Sequence, residues 1–308
     1  MPIKAPKFER KFFQQPGCQL SYVDFGNAQL PDLVLLHGMQ DHAMSMADIA
    51  HALSSHYHVV ALDLRGHGHS DNPGIYTMVH YISDLHALTE HCQLQRPVIV
   101  AHSLGGHIAS RYCALFAENV AKLVLLDGMG PPSIDDDPDN SLSKSRLRQA
   151  VLSVASQSRG GRQMQDSAEA LHRLRRNNPK LSLALAQTIV DHGVQAHDDG
   201  GVCWRFDAAV QMIWNTFSFD ESETVWSWIE CPTLIVTGDR ALDYWVNMRE
   251  SLRGQEAFYQ QTLLRRQQLF TDAKHLIIDD ASHMLHYDQP HKLNQLLLDF
   301  LVPQRLEA

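Results

Sequence analysis

In Pro97–His107, "PVIVAHSLGGH", a serine stands between a short apolar run and a helix-like stretch, which is where a side chain can be raised above a sheet edge to act as a nucleophile. A serine hydroxyl becomes reactive when its proton has somewhere to go. The chemistry open to Ser103 is therefore acyl transfer, with an imidazole as general base and a carboxylate to hold the imidazole in one tautomer. The spacing approaches G-x-S-x-G, with Ala101 where the first glycine would stand. Strand and helix can approach through such a turn only if the flanking residues are small, and Ala101 and Gly105 meet that demand. The competing reading is that Ser103 merely caps the following helix.

The partners for this chemistry lie far away in sequence. His37-Gly38-Met39 follows the apolar run "LVLL", so the Met39 N–H can serve as one donor to an oxyanion; the Leu104 N–H, at the start of the helix after Ser103, is the second. His283, in "DDASHMLHYDQP", falls after the last strand signal and before the last helix. That position separates it from the other histidines, of which the chain has 19 in all. Asp127, Asp239 and Asp243 are the carboxylates near strand ends that could orient it.

These residues need a scaffold that ends several strands at one edge. Six short β-branched and apolar segments read as buried strands: Asp32–Gly38, His58–Gly66, Arg96–Ser103, Lys122–Gly128, Pro232–Asp239 and His275–Ala281. Helical patterns lie among them at Tyr81–Leu88, Leu104–Phe116 and His291–Leu301. Alternation of this kind predicts an α/β fold with a mostly parallel, doubly wound sheet. From residue 128 to residue 228 only helix-like patterns and polar turns appear, with "SKSRLRQAVLSVA", "SAEALHRLRR" and "LSLALAQTIVDH" as the expected helices, followed by "CWRFDAAVQMIWNTF". The expected organisation is a core made of 1–127 and 229–308 with a helical cap inserted at 128–228, over the strand ends where such sheets bind ligands. A separate helical domain is the alternative. Trp204, Met212, Trp214 and Phe217, with His37 and His102 beside the strand ends, are the candidates for lining a substrate pocket.

A chain of 308 residues with 44% hydrophobic composition can bury a large core. Its formal charge of −9 comes without a basic block, which argues against nucleic acid as a partner. Neither a signal-peptide core nor a window of membrane-spanning length is present, and the five cysteines form no C-x-x-C pair. A cytoplasmic protein, monomeric or homodimeric, acting on a small molecule is the expectation.

The six segments "LVLLHGMQD", "VVALDLRGHGHSDNP", "VIVAHSLGGHIA", "KLVLLDG", "PTLIVTGDR" and "ASHMLHYDQP", in this order, resemble the α/β-hydrolase superfamily over nearly the whole chain. The cap region with "CWRFD" is similar to its serine-hydrolase-like branch. The resemblance implies the α/β-hydrolase fold and a Ser, acid, His chain order, and it makes "DLRGHGHS" (Asp63–Ser70) a structural loop. It implies a carboxylesterase-type serine hydrolase needing neither metal nor organic cofactor, since haloalkane dehalogenases and epoxide hydrolases of this fold need a carboxylate where Ser103 stands. Hydrolysis of C–C bonds or thioesters, cyanohydrin lysis, and a non-catalytic binding protein remain as alternatives. The family's usual acid follows the strand "TLIVTG" in a G-x-x-D spacing, but Ala241 occupies that position. Asp127 at the preceding strand, used by some relatives, is then the preferred acid, ahead of Asp243 in a lengthened loop and of Asp239, which lies close to the strand end.

Overall fold

Every central strand divides its side chains between two hydrophobic cores. Val34, Leu36, Val60, Leu62, Ile99 and Leu125 face one side of the sheet, while Leu33, Leu35, Val59, Val98, Val100 and Val124 face the other. With period-2 alternation and both faces covered, the strands read as continuous apolar runs. Each fully buried Leu or Val side chain contributes about 1.5–3 kcal/mol.

The computed structural model describes residues 8–131, 148, 151, 152, 162–215, 217 and 219–302. Its strands are β1 (Glu9–Gln15), β2 (Cys18–Asp24), β3 (Asp32–Leu36), β4 (His58–Leu62), β5 (Val98–His102), β6 (Lys122–Leu126), β7 (Val194–Ala196), β8 (Val202–Trp204), β9 (Thr233–Gly238) and β10 (Ala273–Ile278). Its α-helices are α1 (Ala47–Leu53), α2 (Met78–His91), α3 (Leu104–Leu115), α4 (Ser167–Asn177), α5 (Leu183–Gly193), α6 (Phe219–Trp226), α7 (Ala241–Met248), α8 (Glu256–Gln267), α9 (Leu285–Asp288) and α10 (Pro290–Leu301). The large sheet runs β1-β2-β4-β3-β5-β6-β9-β10. It is parallel from β4 to β10 and antiparallel at β1 and β2. Helices α2, α3, α6 and α8 cover one face; α1, α9 and α10 cover the other.

All six expected strands are present in this α/β architecture, and the N-terminal hairpin β1–β2 joins them. Its first strand is polar and keeps only Phe13 buried, so it carries no apolar run to read. Between β6 and β9, α4 and α5 fall where helices are expected. The expected helix at Ser143–Ala155 lies almost wholly outside the described residues, as does the acidic run Asp135–Asp139. The stretch that follows the expected helices, "CWRFDAAVQMIWNTF", takes a different form in its described residues. It forms strand β8, paired with β7, and then a 3₁₀ helix at Ala208–Asn215. The backbone between them is used elsewhere, with the Gly68 N–H donating to Arg205 O at 2.7 Å and the Asp207 N–H to Gly66 O at 2.9 Å. These tertiary bonds give the backbone of the segment its partners. Tyr76 adds a hydroxyl donated to Asp207 Oδ2 at 2.7 Å, so the returning limb of the segment is stitched to the loop after β4.

The loop Asp63–Ser70 is built around a fully buried carboxylate. Asp63 accepts the Ala43 N–H at 2.8 Å and the His69 N–H at 3.0 Å, and it pairs with the Arg10 guanidinium from β1. Burial alone would raise its pKa. Arg10, His42 and the Ala43 N–H outweigh burial and bring it from the ordinary 3.8 down to about 2. A carboxyl depressed on folding stabilises the protein above its unfolded pKa, and that contribution is lost as pH falls through the folded value. Asp63 is therefore expected to contribute on the order of 2 kcal/mol that disappears between about pH 4 and pH 2. Asp63→Asn should lower stability at pH 7 by about 3 kcal/mol, because it removes the carboxylate that pairs with the partly buried Arg10 guanidinium and accepts two backbone N–H groups. Urea unfolding of both proteins across this pH range is the check, and parallel profiles would refute the assignment.

Candidate active site

Ser103 follows β5 directly, and its backbone (φ 50°, ψ −116°) lies in a region a serine rarely adopts. Such strain costs on the order of 1–3 kcal/mol and persists where surrounding structure imposes it. Here α3 starts immediately against β3: a Cβ on Gly105 would come within 2.7 Å of the carbonyl oxygens of Leu36 and His37, so only glycine permits this approach. Although Ser103 occupies the N-cap position, its side chain makes no capping bond. Its Oγ lies 3.0 Å from His283 Nε2 instead.

The other imidazole nitrogen, His283 Nδ1, is hydrogen-bonded to Asp127 Oδ2. An ionised carboxylate only accepts, so Nδ1 carries the proton and Nε2 presents a lone pair to the Ser103 hydroxyl. Asp127 follows β6 with φ 44°, and its N–H continues the ladder to Val236 O at 2.8 Å. Because β5 and β6 are neighbours, Ser103 and Asp127 project from adjacent strand ends. Both Asp127 and His283 are buried.

His283 sits in the turn after β10, which is tied down on several sides. Asp239 Oδ1 accepts the Ala281 N–H at 3.0 Å, Asp288 accepts both the N–H and the hydroxyl of Ser282, and the His102 Nε2–H donates to the His283 carbonyl at 3.0 Å. Asp239 thus anchors the loop that carries the imidazole. Asp243 is exposed on the first turn of α7. Of the three carboxylates considered from the sequence, Asp127 is the one against His283.

The peptide between Gly38 and Met39 is oriented by His37. This ring donates from Nδ1 to Gly38 O at 2.7 Å and accepts the Leu64 N–H on Nε2 at 3.0 Å. In a trans peptide the N–H points opposite to the carbonyl, so the Met39 N–H is directed away from His37. A Cβ on Gly38 would lie 3.2 Å from Ser103 Cβ, which places this loop against the serine. The Leu104 N–H begins α3 and has no acceptor within the helix. Burial pushes the pKa of His37 down to about 4, that of His286 to about 3, and that of His102 well below the ordinary value. The histidines around His283 are therefore neutral at pH 7.

Trp214 and Phe217 lie against the ring of His107, one turn into α3, at 6.0 Å and 4.8 Å between centroids. Met212 packs beside the same core, whereas Trp204 packs against the core on the other face of the sheet and against Met164, Ala170 and Val190. Three aromatic neighbours of the site are not among the candidates drawn from the sequence. Tyr244 stacks on His283 at 4.0 Å and Trp245 meets it edge-on at 5.4 Å, both from α7. Tyr259, from α8, donates its hydroxyl to Asp127 Oδ1 at 3.3 Å. Tyr244 and Trp245 follow the position where the G-x-x-D acid is missing, which is the one hint the sequence held. Among the described residues, no cluster of three or more His, Cys, Asp or Glu could hold a metal ion. Among them, too, no helix is long and apolar enough to cross a membrane.

Residues 31–290 match the family model for the alpha/beta hydrolase fold. The chain is 24% identical over 278 residues to a "Serine hydrolase-like protein" of Danio rerio, covering 88% of this chain and 82% of that protein. It is 25% identical over 286 residues to "Serine hydrolase-like protein 2" of Homo sapiens, covering 90% and 88%. Among solved structures it resembles a thioesterase domain from the curacin biosynthetic pathway, with a TM-score of 0.79 at 22% identity over 95% of this chain and 99% of that one. This last likeness speaks to the fold alone.

Proposed function

The chain belongs to the alpha/beta hydrolase fold family, and on that premise we propose that it is a serine hydrolase cleaving carboxylic esters of small molecules through Ser103, His283 and Asp127. The observation that carries this reading is the unbroken hydrogen-bonded line from Asp127 through His283 to the Ser103 hydroxyl, at a strained strand-to-helix turn. In this reading His283 Nε2 takes the serine proton as Oγ attacks the ester carbonyl. The tetrahedral oxyanion is held by the Met39 and Leu104 N–H groups. Collapse expels the alcohol, which receives the proton from His283, and leaves an acyl-serine. Water, deprotonated by the same imidazole, then releases the acid and restores the hydroxyl. Asp127 stays ionised throughout and stabilises the transient imidazolium.

In this reading the described residues between β6 and β9 act as a cap over the core, with Trp214 and Phe217 on the return limb against His107 of the serine's helix. A cytoplasmic setting is supported by five free thiols, four of them buried. A fluorophosphonate probe tests the function directly: it should label the wild type and spare Ser103→Ala, and equal labelling would refute it. A panel of p-nitrophenyl esters and acyl thioesters then reads the leaving-group class. Trp214→Ala and Phe217→Ala should shift the preferred acyl chain toward longer esters, because apolar side chains set the floor of such pockets. Lowered melting temperature with unchanged chain-length preference would make them ordinary packing residues.

A further inference from the structure

We propose that one face of α8 is a positioning device for the Asp127 carboxylate, with the Tyr259 hydroxyl as its working contact. The proposal rests on the hydrolase reading and adds to it a residue that no motif marks. The terminal torsion of an aspartate is soft, so a bond from one oxygen to His283 leaves the plane of the carboxylate free to rock. The Tyr259 hydroxyl, 3.3 Å from Oδ1, fixes the second oxygen and with it the plane. Tyr259 is buried, and burial together with the Asp127 charge pushes its phenol well above the ordinary value, so it remains a donor.

Seven residues on, Arg266 returns to the same helical face. It is fully buried, and its Nη1 reaches the carbonyls of Met129 and Pro131 at 2.8 Å and of Gly130 at 3.3 Å. The chain leaving Asp127 is thus gripped by the helix that supplies the hydroxyl. This matters because Asp127 has φ 44°, a left-handed φ that is uncommon for a residue with a Cβ and is held here by its neighbours. An acid placed after β9 would be carried by the start of α7; an acid on β6 needs its backing from elsewhere, and α8 provides it.

The test is Tyr259→Phe, with Leu263→Ala as the packing control because Leu263 is buried on the same helix and carries no donor. Removing the phenol's hydrogen bond makes Asp127 a stronger acceptor for the His283 Nδ1 proton. The low-field proton NMR signal that is absent in His283→Ala should therefore move further downfield in Tyr259→Phe and stay in place in Leu263→Ala. Ester turnover should show kcat lowered by about tenfold, the low end of what a hydrogen bond to a charged group supports, with KM unchanged. An unmoved proton signal overturns the proposal whatever kcat does, and so does a moved signal with kcat within twofold of wild type. Failure of the hydrolase reading would show separately, as activity surviving Ser103→Ala, because the proton signal reports the contact without turnover.

Discussion

Replacing Ser103 with alanine is expected to leave a folded protein that hydrolyses esters about 10⁶-fold more slowly, the order of loss seen when the nucleophile is removed from a unit whose members act together. The fold should survive because the Ser103 side chain makes no capping bond. Its contact with His283 is with the imidazole, whose loop is held independently by Asp239, Asp288 and His102. Alanine also meets the same backbone demand at φ 50° that serine does. The residual rate should come from the oxyanion donors and substrate binding, which the substitution leaves untouched. Melting temperature and initial rates on purified protein decide the matter. A folded variant retaining more than a tenth of the wild-type rate would exclude Ser103 as the nucleophile.

The parts of this fold legible in the sequence are those where one physical demand acts alone. Strands β3 to β6 and β9 are buried on both faces, so their apolar runs follow directly from position. The edge strand β10 is half exposed, with Leu276 and Ile277 open to solvent, so the apolar pattern points to His275–Ala281 while the strand spans Ala273–Ile278. The polar edge strand β1 carries no such demand. In the segment before β9, the path of "CWRFDAAVQMIW" is set by backbone bonds to Gly66 and Gly68, partners more than a hundred residues away that local pattern cannot contain.

The site divides in the same way. The serine and the histidine stand at strand ends, and strand ends can be read; that β5 and β6 are neighbours follows from the same α/β logic. What surrounds them is different in kind. Tyr259 reaches Asp127 across 132 positions, and Tyr244 stacks on His283 because α7 starts immediately after β9. A phenol on a helix has many possible partners, and only tertiary packing selects one.

Asp127→Asn is expected to lower kcat by about 10⁴-fold with little change in stability, and the reason is the tautomer. Asp127 Oδ2 accepts the Nδ1 proton, which leaves Nε2 free to accept from Ser103. The Tyr259 hydroxyl donates to the oxygen turned away from His283. An asparagine that keeps this bond places its own oxygen toward Tyr259 and its NH2 against Nδ1. The imidazole must then carry its proton on Nε2, where it faces the serine oxygen and can no longer take the hydroxyl proton. Geometry is preserved while the direction of proton transfer is reversed, so the loss falls on kcat and hardly on KM. Asp243→Asn, exposed on α7, should stay within threefold of wild type. Side-by-side kcat measurements on the two variants decide between the carboxylates: the reverse ranking would move the acid to α7, and comparable partial losses would mean that both serve the imidazole.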